Sequence, residues 1–174
     1  VTNAFKENHY SKMLKNHLPE IHDGGSYPTE LIKSGDSFNE LIKDLKSKQL
    51  KNILAQKFNL DLQDKPAVTT FRGFSRQKDG RIHSDSKTKV LTVLVYLNEK
   101  WDARNGHLRL LYNNNDINNF LVEIQPTMGS LVAFKVQKNC WHGYENFVGR
   151  RLSLQLNYLH ENSNRKDEPF VAVN

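Results

Sequence analysis

His83 and Asp85 sit two positions apart in Arg81-Ile82-His83-Ser84-Asp85, just ahead of the apolar run Val90-Leu91-Thr92-Val93-Leu94-Val95. In an extended chain, residues i and i+2 project from one face about 6.6 Å apart, so an imidazole and a carboxylate can converge on one ion. That donor pair suits Fe, Mn or Zn rather than thiolate-seeking metals. A His-x-Asp pair is common by chance, so a metal reading needs a third ligand. Of the seven histidines, His9, His17 and His22 fall in a helix-patterned region and His160 borders a polar tail. His107 opens a strand beside the Asn105-Gly106 turn. His142, in Asn139-Cys140-Trp141-His142-Gly143-Tyr144, is placed in a short strand that can pair with the next long strand through a turn at 146–149. Spacing leaves both a core histidine and a ligand open for His142.

The long strand carries its own chemistry. Arg151-Leu152-Ser153-Leu154-Gln155-Leu156-Asn157 alternates strictly, with Arg151, Ser153, Gln155 and Asn157 on one face and the leucines on the other. A guanidinium turned inward is costly unless an anion meets it. Arginine followed two residues later by a hydroxyl makes a carboxylate clamp, the fork of Arg plus one donor from Ser. Arg150 then faces solvent. A strand start with both arginines solvated remains the alternative. Arg72, Arg76 and Arg81 approach the His-x-Asp segment and read as surface charges.

These groups must be held by the surrounding elements. The 174 residues allow one domain with a real core, over 1–174. The division expected is a mainly helical support at 1–66, a β core at 67–159 and a polar tail at 160–174. Helical spacing links Phe5, Tyr10, Met13, Leu14 and Leu18, then Leu31 and Ile32. Ser37-Phe38-Asn39-Glu40 has the form of a capping box, followed by one apolar stripe of Phe38, Leu41, Ile42, Leu45, Ile53, Leu54 and Phe58. About eight strands fit near 67–74, 81–84, 89–97, 107–112, 119–124, 130–135, 140–144 and 151–159. Strands that follow helices rather than alternate with them indicate α+β, with helices packed on one face of an antiparallel sandwich or barrel.

Composition narrows the partners. No run approaches the roughly 18 apolar residues of a membrane helix, so no membrane partner is expected. The single cysteine, Cys140, excludes an internal disulfide and fits a reducing, cytoplasmic setting. The net charge of +6 favours acidic partners, but Lys and Arg are dispersed and no nucleic-acid motif accompanies them. A nucleic-acid partner is therefore not expected, and nothing indicates an oligomeric state.

The order His83-x-Asp85, His142, Arg151-x-Ser153 resembles the double-stranded β-helix oxygenases that use Fe(II) and 2-oxoglutarate. Val95-Tyr96-Leu97-Asn98-Glu99-Lys100-Trp101-Asp102, Gly106-His107-Leu108-Arg109-Leu110 and Glu123-Ile124-Gln125-Pro126 resemble the prolyl 4-hydroxylase branch, over about residues 68–159. The resemblance implies a jelly-roll or cupin-like double-stranded β-helix of about eight antiparallel strands, with N-terminal helices on one sheet. It implies His83, Asp85 and His142 as metal ligands, and Arg151 with Tyr96, assisted by Ser153, as the cradle for the distal carboxylate of 2-oxoglutarate. Tyr96 shares a face with Thr92 and Leu94, which turns its hydroxyl inward. His83, Asp85, His142 and Arg151 are then the catalytic set. Fe(II) is the metal, 2-oxoglutarate and O2 are cosubstrates, and ascorbate is the reductant.

The activity implied is dioxygenase hydroxylation of a C–H bond, releasing succinate and CO2. A prolyl residue of a protein or peptide is the first expectation for the substrate. A small molecule such as a free amino acid or a sugar conjugate is the second, and a non-catalytic binding module is the third. Gly106-His107 departs from the Gly-Gly of many relatives, so a bulkier side chain is expected at the entrance and not on the metal.

Overall fold

The computed structural model describes residues 1, 4, 5, 12, 13, 17–161 and 163. His9, Tyr10, Leu14 and the tail from Asn164 lie outside them.

The leucine-polar alternation becomes the central strand of the molecule. Strands β1 (Tyr27–Pro28), β2 (Ala67–Ser75), β3 (Lys89–Tyr96), β4 (Leu108–Leu111), β5 (Phe120–Ile124), β6 (Leu131–Lys135), β7 (His142–Gly143) and β8 (Gly149–Leu159) form two antiparallel sheets. The major sheet has the order β1-β2-β8-β3-β6 and the minor sheet β5-β4-β7. This is the double-stranded β-helix that the motifs imply.

The major sheet is buried on both faces, and the faces differ. Leu152, Leu154, Leu156 and Tyr158 of β8 join Phe71 of β2 and Leu91, Val93 and Val95 of β3 in the apolar core. Helices α1 (Asp36–Leu45) and α2 (Lys48–Phe58) close over that face with Phe38, Leu41, Leu45 and Leu54. Phe38 meets Phe71 edge-on, at 5.4 Å between ring centroids and 84° between planes. Each such side chain contributes about 1.5–3 kcal/mol by leaving water. The other face carries Thr70, Arg72, Thr92, Tyr96, Arg151, Ser153, Gln155 and Asn157, and it looks into a cavity beneath the minor sheet. Register keeps the two sets apart, because a slip of one residue exchanges them.

Several local expectations are corrected. The stripe from Phe38 to Phe58 is broken into two helices, because Ser47 caps the second by accepting the Leu50 N–H at 3.2 Å. Ile53, expected inside, is 52% exposed. Ser37 does not cap. The first helix begins earlier, with Gly35 at its N-cap, and the buried Ser37 donates its backbone N–H to His17 Nδ1 at 3.4 Å. Leu31 lies in a 3-10 turn and is 57% exposed. No strand forms at 81–84, where His83 makes only an isolated bridge to His142. β7 pairs with β4 of the minor sheet rather than with β8. Its two residues lie across the cavity from the long strand, since the chain from Tyr144 to Val148 passes between sheets instead of turning a hairpin. The short β1, paired with β2, has Pro at an edge and carried no strand pattern in the sequence.

Candidate active site

Three side chains able to ligate a metal meet at one end of the cavity. One donor atom from each of His83, Asp85 and His142 lies within 4.8 Å of the others. His83 and Asp85 arrive on a loop rather than a strand. The loop is anchored because His83 and His142 exchange backbone hydrogen bonds, at 3.0 Å and 2.9 Å. Their rings approach to 4.3 Å between centroids, and Phe134 packs on the other side of His142 at 4.9 Å.

The imidazoles are oriented alike. Nδ1 of His83 lies 2.8 Å from the Arg81 carbonyl, and Nδ1 of His142 lies 2.9 Å from the Cys140 carbonyl. A carbonyl only accepts, so Nδ1 carries the proton and the Nε2 lone pair of each ring is left for an ion. Burial pushes the His142 pKa down, with the neighbouring His83 acting the same way, so the ring is held neutral. Burial works in the opposite direction on Asp85, but the Lys89 ammonium, the Thr92 hydroxyl and the two imidazoles outweigh it. The carboxyl is held below its ordinary range. Thr92 donates to Asp85 Oδ2 at 2.5 Å and Lys89 Nζ lies 3.4 Å from Oδ1. Two imidazoles and one fixed carboxylate fit a divalent cation with open positions, the facial arrangement of non-haem iron.

The cavity, about 310 Å³, runs from this cluster to Arg151. Arg151 is 6% exposed. Its Nε donates to the Gly106 carbonyl at 2.9 Å and its Nη2 to the Tyr96 hydroxyl at 3.3 Å. The guanidinium also lies 4.0 Å from the centre of the Tyr144 ring. Burial pushes the Tyr96 pKa up, against the opposing influence of Arg151, so the phenol stays protonated and able to donate. Ser153 is buried on the cavity wall, in register with Tyr96. Arg150 is exposed, as the alternation requires.

Residues 70–159 match the 2OG-Fe(II) oxygenase superfamily, just over half of the chain. The chain belongs to that superfamily. This 2OG-Fe(II) oxygenase therefore uses Fe(II), 2-oxoglutarate and O2. No curated protein matches it. Its fold is similar to that of a prolyl 4-hydroxylase from Pseudomonas putida, with a TM-score of 0.63 and 16% identity over 91% of this chain and 90% of that one. A 2OG-Fe(II) oxygenase family oxidoreductase from Burkholderia pseudomallei gives 0.59 and 13%, over 95% and 84%. A Trichoplax adhaerens prolyl hydroxylase, solved with a hypoxia inducible factor oxygen degradation domain peptide, gives 0.56 and 15%, over 91% and 81%. Among the described residues of this oxygenase, no helix is long and apolar enough to cross a membrane.

The sequence assigned no role to several other side chains at the site, although Gln155 and Asn157 share the Arg151 face of β8. Tyr144 supports Arg151 from below, and its hydroxyl pairs with Ser75 Oγ at 2.9 Å. Asn157 Oδ1 lies 3.1 Å from Thr92 Oγ1 and receives Gln155 Nε2 at 2.9 Å, extending the network behind Asp85. Arg72, read from the sequence as a surface charge, lines the cavity instead. Arg76 is a surface charge as expected, paired with Asp79 at 3.1 Å, and Arg81 is exposed. His107 pairs with Glu123 at 3.1 Å on the minor sheet, apart from the cluster.

Proposed function

We propose that this oxygenase hydroxylates a prolyl residue of a protein, with His83, Asp85 and His142 holding Fe(II) and with Arg151, Tyr96 and Ser153 holding the distal carboxylate of 2-oxoglutarate. One observation carries the reading. A three-ligand cluster and a buried, hydrogen-bonded arginine stand at two positions along one cavity, as a cosubstrate with one chelating and one distal carboxylate requires. When bound, the metal and cosubstrate supply the oxidising chemistry, converting 2-oxoglutarate and O2 to succinate, CO2 and one oxygen atom for the substrate C–H bond.

The chain's own groups bind and orient. His83 and His142 leave Nε2 unengaged by the backbone, and burial holds the His142 ring neutral, so it offers that lone pair without losing a proton first. Thr92 and Lys89 fix which way the Asp85 carboxylate faces. Arg151 is aimed by Gly106 and Tyr144, so little side-chain freedom is lost when a carboxylate docks. Leu94, Leu108 and the Tyr144 ring supply apolar wall to the cavity that holds metal site and clamp. The fold likeness to prolyl hydroxylases, one of them solved with a peptide, supports the prolyl choice.

The test is a screen of proline-containing peptides with Fe(II), 2-oxoglutarate and ascorbate, read by mass spectrometry. A gain of one oxygen that depends on 2-oxoglutarate and is matched by succinate is expected. Succinate formation with no peptide ever oxidised overturns the protein-substrate reading. No succinate under any condition overturns the assignment of the site.

A further inference from the structure

The groups assigned so far leave charge in the cavity unmatched. Its ionisable lining sets Arg72, Lys89 and Arg151 against the carboxylate of Asp85, besides the two imidazoles. Fe(II) and the 2-oxoglutarate dianion cancel one another, and Lys89 lies 3.4 Å from Asp85. Two positive charges remain in excess over the cavity as a whole, and since the distal carboxylate is placed at Arg151, Arg72 is the arginine left without an anion.

Arg72 is held as a recognition group would be. Its backbone is in register with Ser153, and Ser153 with Tyr96, so the three form one row across β2, β8 and β3, with their side chains on the cavity face. Adjacent strands are about 4.8 Å apart. Arg72 therefore rises on the far side of β8 from Tyr96, beside the cosubstrate position rather than at its end. The ladder shifts register between Arg72 and Phe74, where Gly73 alone faces two residues of β8, Arg151 and Leu152. A Cβ on Gly73 would lie 2.5 Å from the Ile21 carbonyl oxygen, so no side chain fits there. Arg72 Nε donates to Ser26 Oγ at 2.8 Å, which fixes the shaft. Among the described residues it forms no ion pair, and its two terminal nitrogens are left to meet a ligand. A half-buried guanidinium with its fork unused fits a carboxylate.

We infer that Arg72 binds a carboxylate of the substrate, so that this oxygenase selects substrates carrying an anion beside the C–H bond that is hydroxylated. The inference rests on the reading of the cavity as the Fe(II) and 2-oxoglutarate site. It adds the substrate's charge, and it makes Arg72 the residue that determines specificity.

The experiment measures binding, not turnover. Protein saturated with Mn(II) and 2-oxoglutarate is titrated calorimetrically with N-acetyl-L-proline and with its amide, which differ by one anionic group. The acid is expected to bind at least about tenfold more tightly than the amide, the size of a charge-assisted pair. Arg72→Gln should remove the difference, and Arg72→Lys should restore part of it. Neither should change the affinity for 2-oxoglutarate. A second pair, blocked Glu-Pro and Gln-Pro peptides, locates the anion. A preference for the Glu peptide puts it on a neighbouring residue of a protein substrate. A preference confined to N-acetylproline puts it on the imino acid itself, which supports Arg72 while overturning the protein substrate. Acid and amide binding alike while the Glu and Gln peptides also bind alike, or no probe binding at all, overturns the inference, as does a weakening of 2-oxoglutarate binding by Arg72→Gln. A wild-type protein that binds neither Mn(II) nor 2-oxoglutarate overturns the reading of the cavity itself, and it shows this before any probe is added.

Discussion

The carboxamide of Asn98 grips both main-chain groups of Leu152, accepting its N–H at 2.7 Å and donating to its carbonyl at 3.2 Å. It also donates to the Pro126 carbonyl at 2.6 Å. The chain leaving β3 is thus pinned to β8 at the residue next to Arg151. Asn98→Ala strands a buried N–H and a buried carbonyl, so a loss of about 1–3 kcal/mol is expected in chemical denaturation. Affinity for 2-oxoglutarate should fall with it, although Asn98 does not line the cavity. An unchanged affinity in the folded variant would mean that Arg151 is positioned without this clamp.

Arg151 and Arg150 are adjacent and face opposite ways. Arg151→Ala should weaken 2-oxoglutarate binding by about tenfold or more, the scale of a charge-assisted pair. Arg150→Ala should leave it nearly untouched. Direct titration with 2-oxoglutarate decides, and equal effects would refute the assigned faces.

Tyr144 offers a ring to Arg151 and a hydroxyl to Ser75. Tyr144→Phe keeps the ring, so 2-oxoglutarate affinity should hold while stability drops by about 1 kcal/mol. Tyr144→Ala removes the ring as well, and affinity should then fall by up to about thirtyfold, the equivalent of a buried cation–π contact of about 2 kcal/mol. Equal affinities for the two variants would show that the ring has no part in aiming the guanidinium.

Acid should destabilise the metal-free protein in two stages. The His142 pKa is lowered by folding, so the unfolded chain takes up that proton first. Its contribution is complete above about pH 6.5 and is lost as pH falls toward the folded value. The lowered Asp85 carboxyl repeats the effect below about pH 3.9. Urea midpoints measured across this range should fall with pH, and His142→Gln should flatten the first stage. A midpoint that rises between pH 6.5 and 5 would contradict the direction given for His142.

The metal cluster gives a prediction independent of turnover. Asp85→Ala should abolish the rise in melting temperature on adding Mn(II), because ligand binding stabilises only the state that holds the site together. His107→Ala should leave that rise intact, since His107 belongs to the minor-sheet pair with Glu123.

What the sequence made legible was whatever repeats along one strand. Arg151, Ser153 and their leucine neighbours announce both faces of β8, because period-two alternation needs no knowledge of the rest of the fold. The same pattern in Val68-Thr69-Thr70-Phe71-Arg72 put Arg72 opposite Phe71, a signal that could have moved it from the surface to the cavity. His83 and Asp85 were placed on a strand because their spacing allows one, whereas a backbone pair with His142, about sixty residues away, holds them as a loop. Tyr144 beneath Arg151 and His17 at the first helix depend on contacts between distant segments, which no local pattern encodes. Ser37 has the spacing of a cap but is buried inside the first helix, and the cap that does form, at Ser47, divides an apolar stripe that reads as continuous in sequence.

The two-faced strand β8 also governs how the gene can vary. Inserting or deleting one codon between Gly149 and Leu159 would carry leucines into the cavity and Arg151 into the core in the same step. A lineage could not trade activity for solidity here by small shifts in spacing, since both are written on alternate letters of one eleven-residue word. Length changes should therefore collect in the exposed Asn113-Asn114-Asn115-Asp116 turn, where no cavity wall depends on the count.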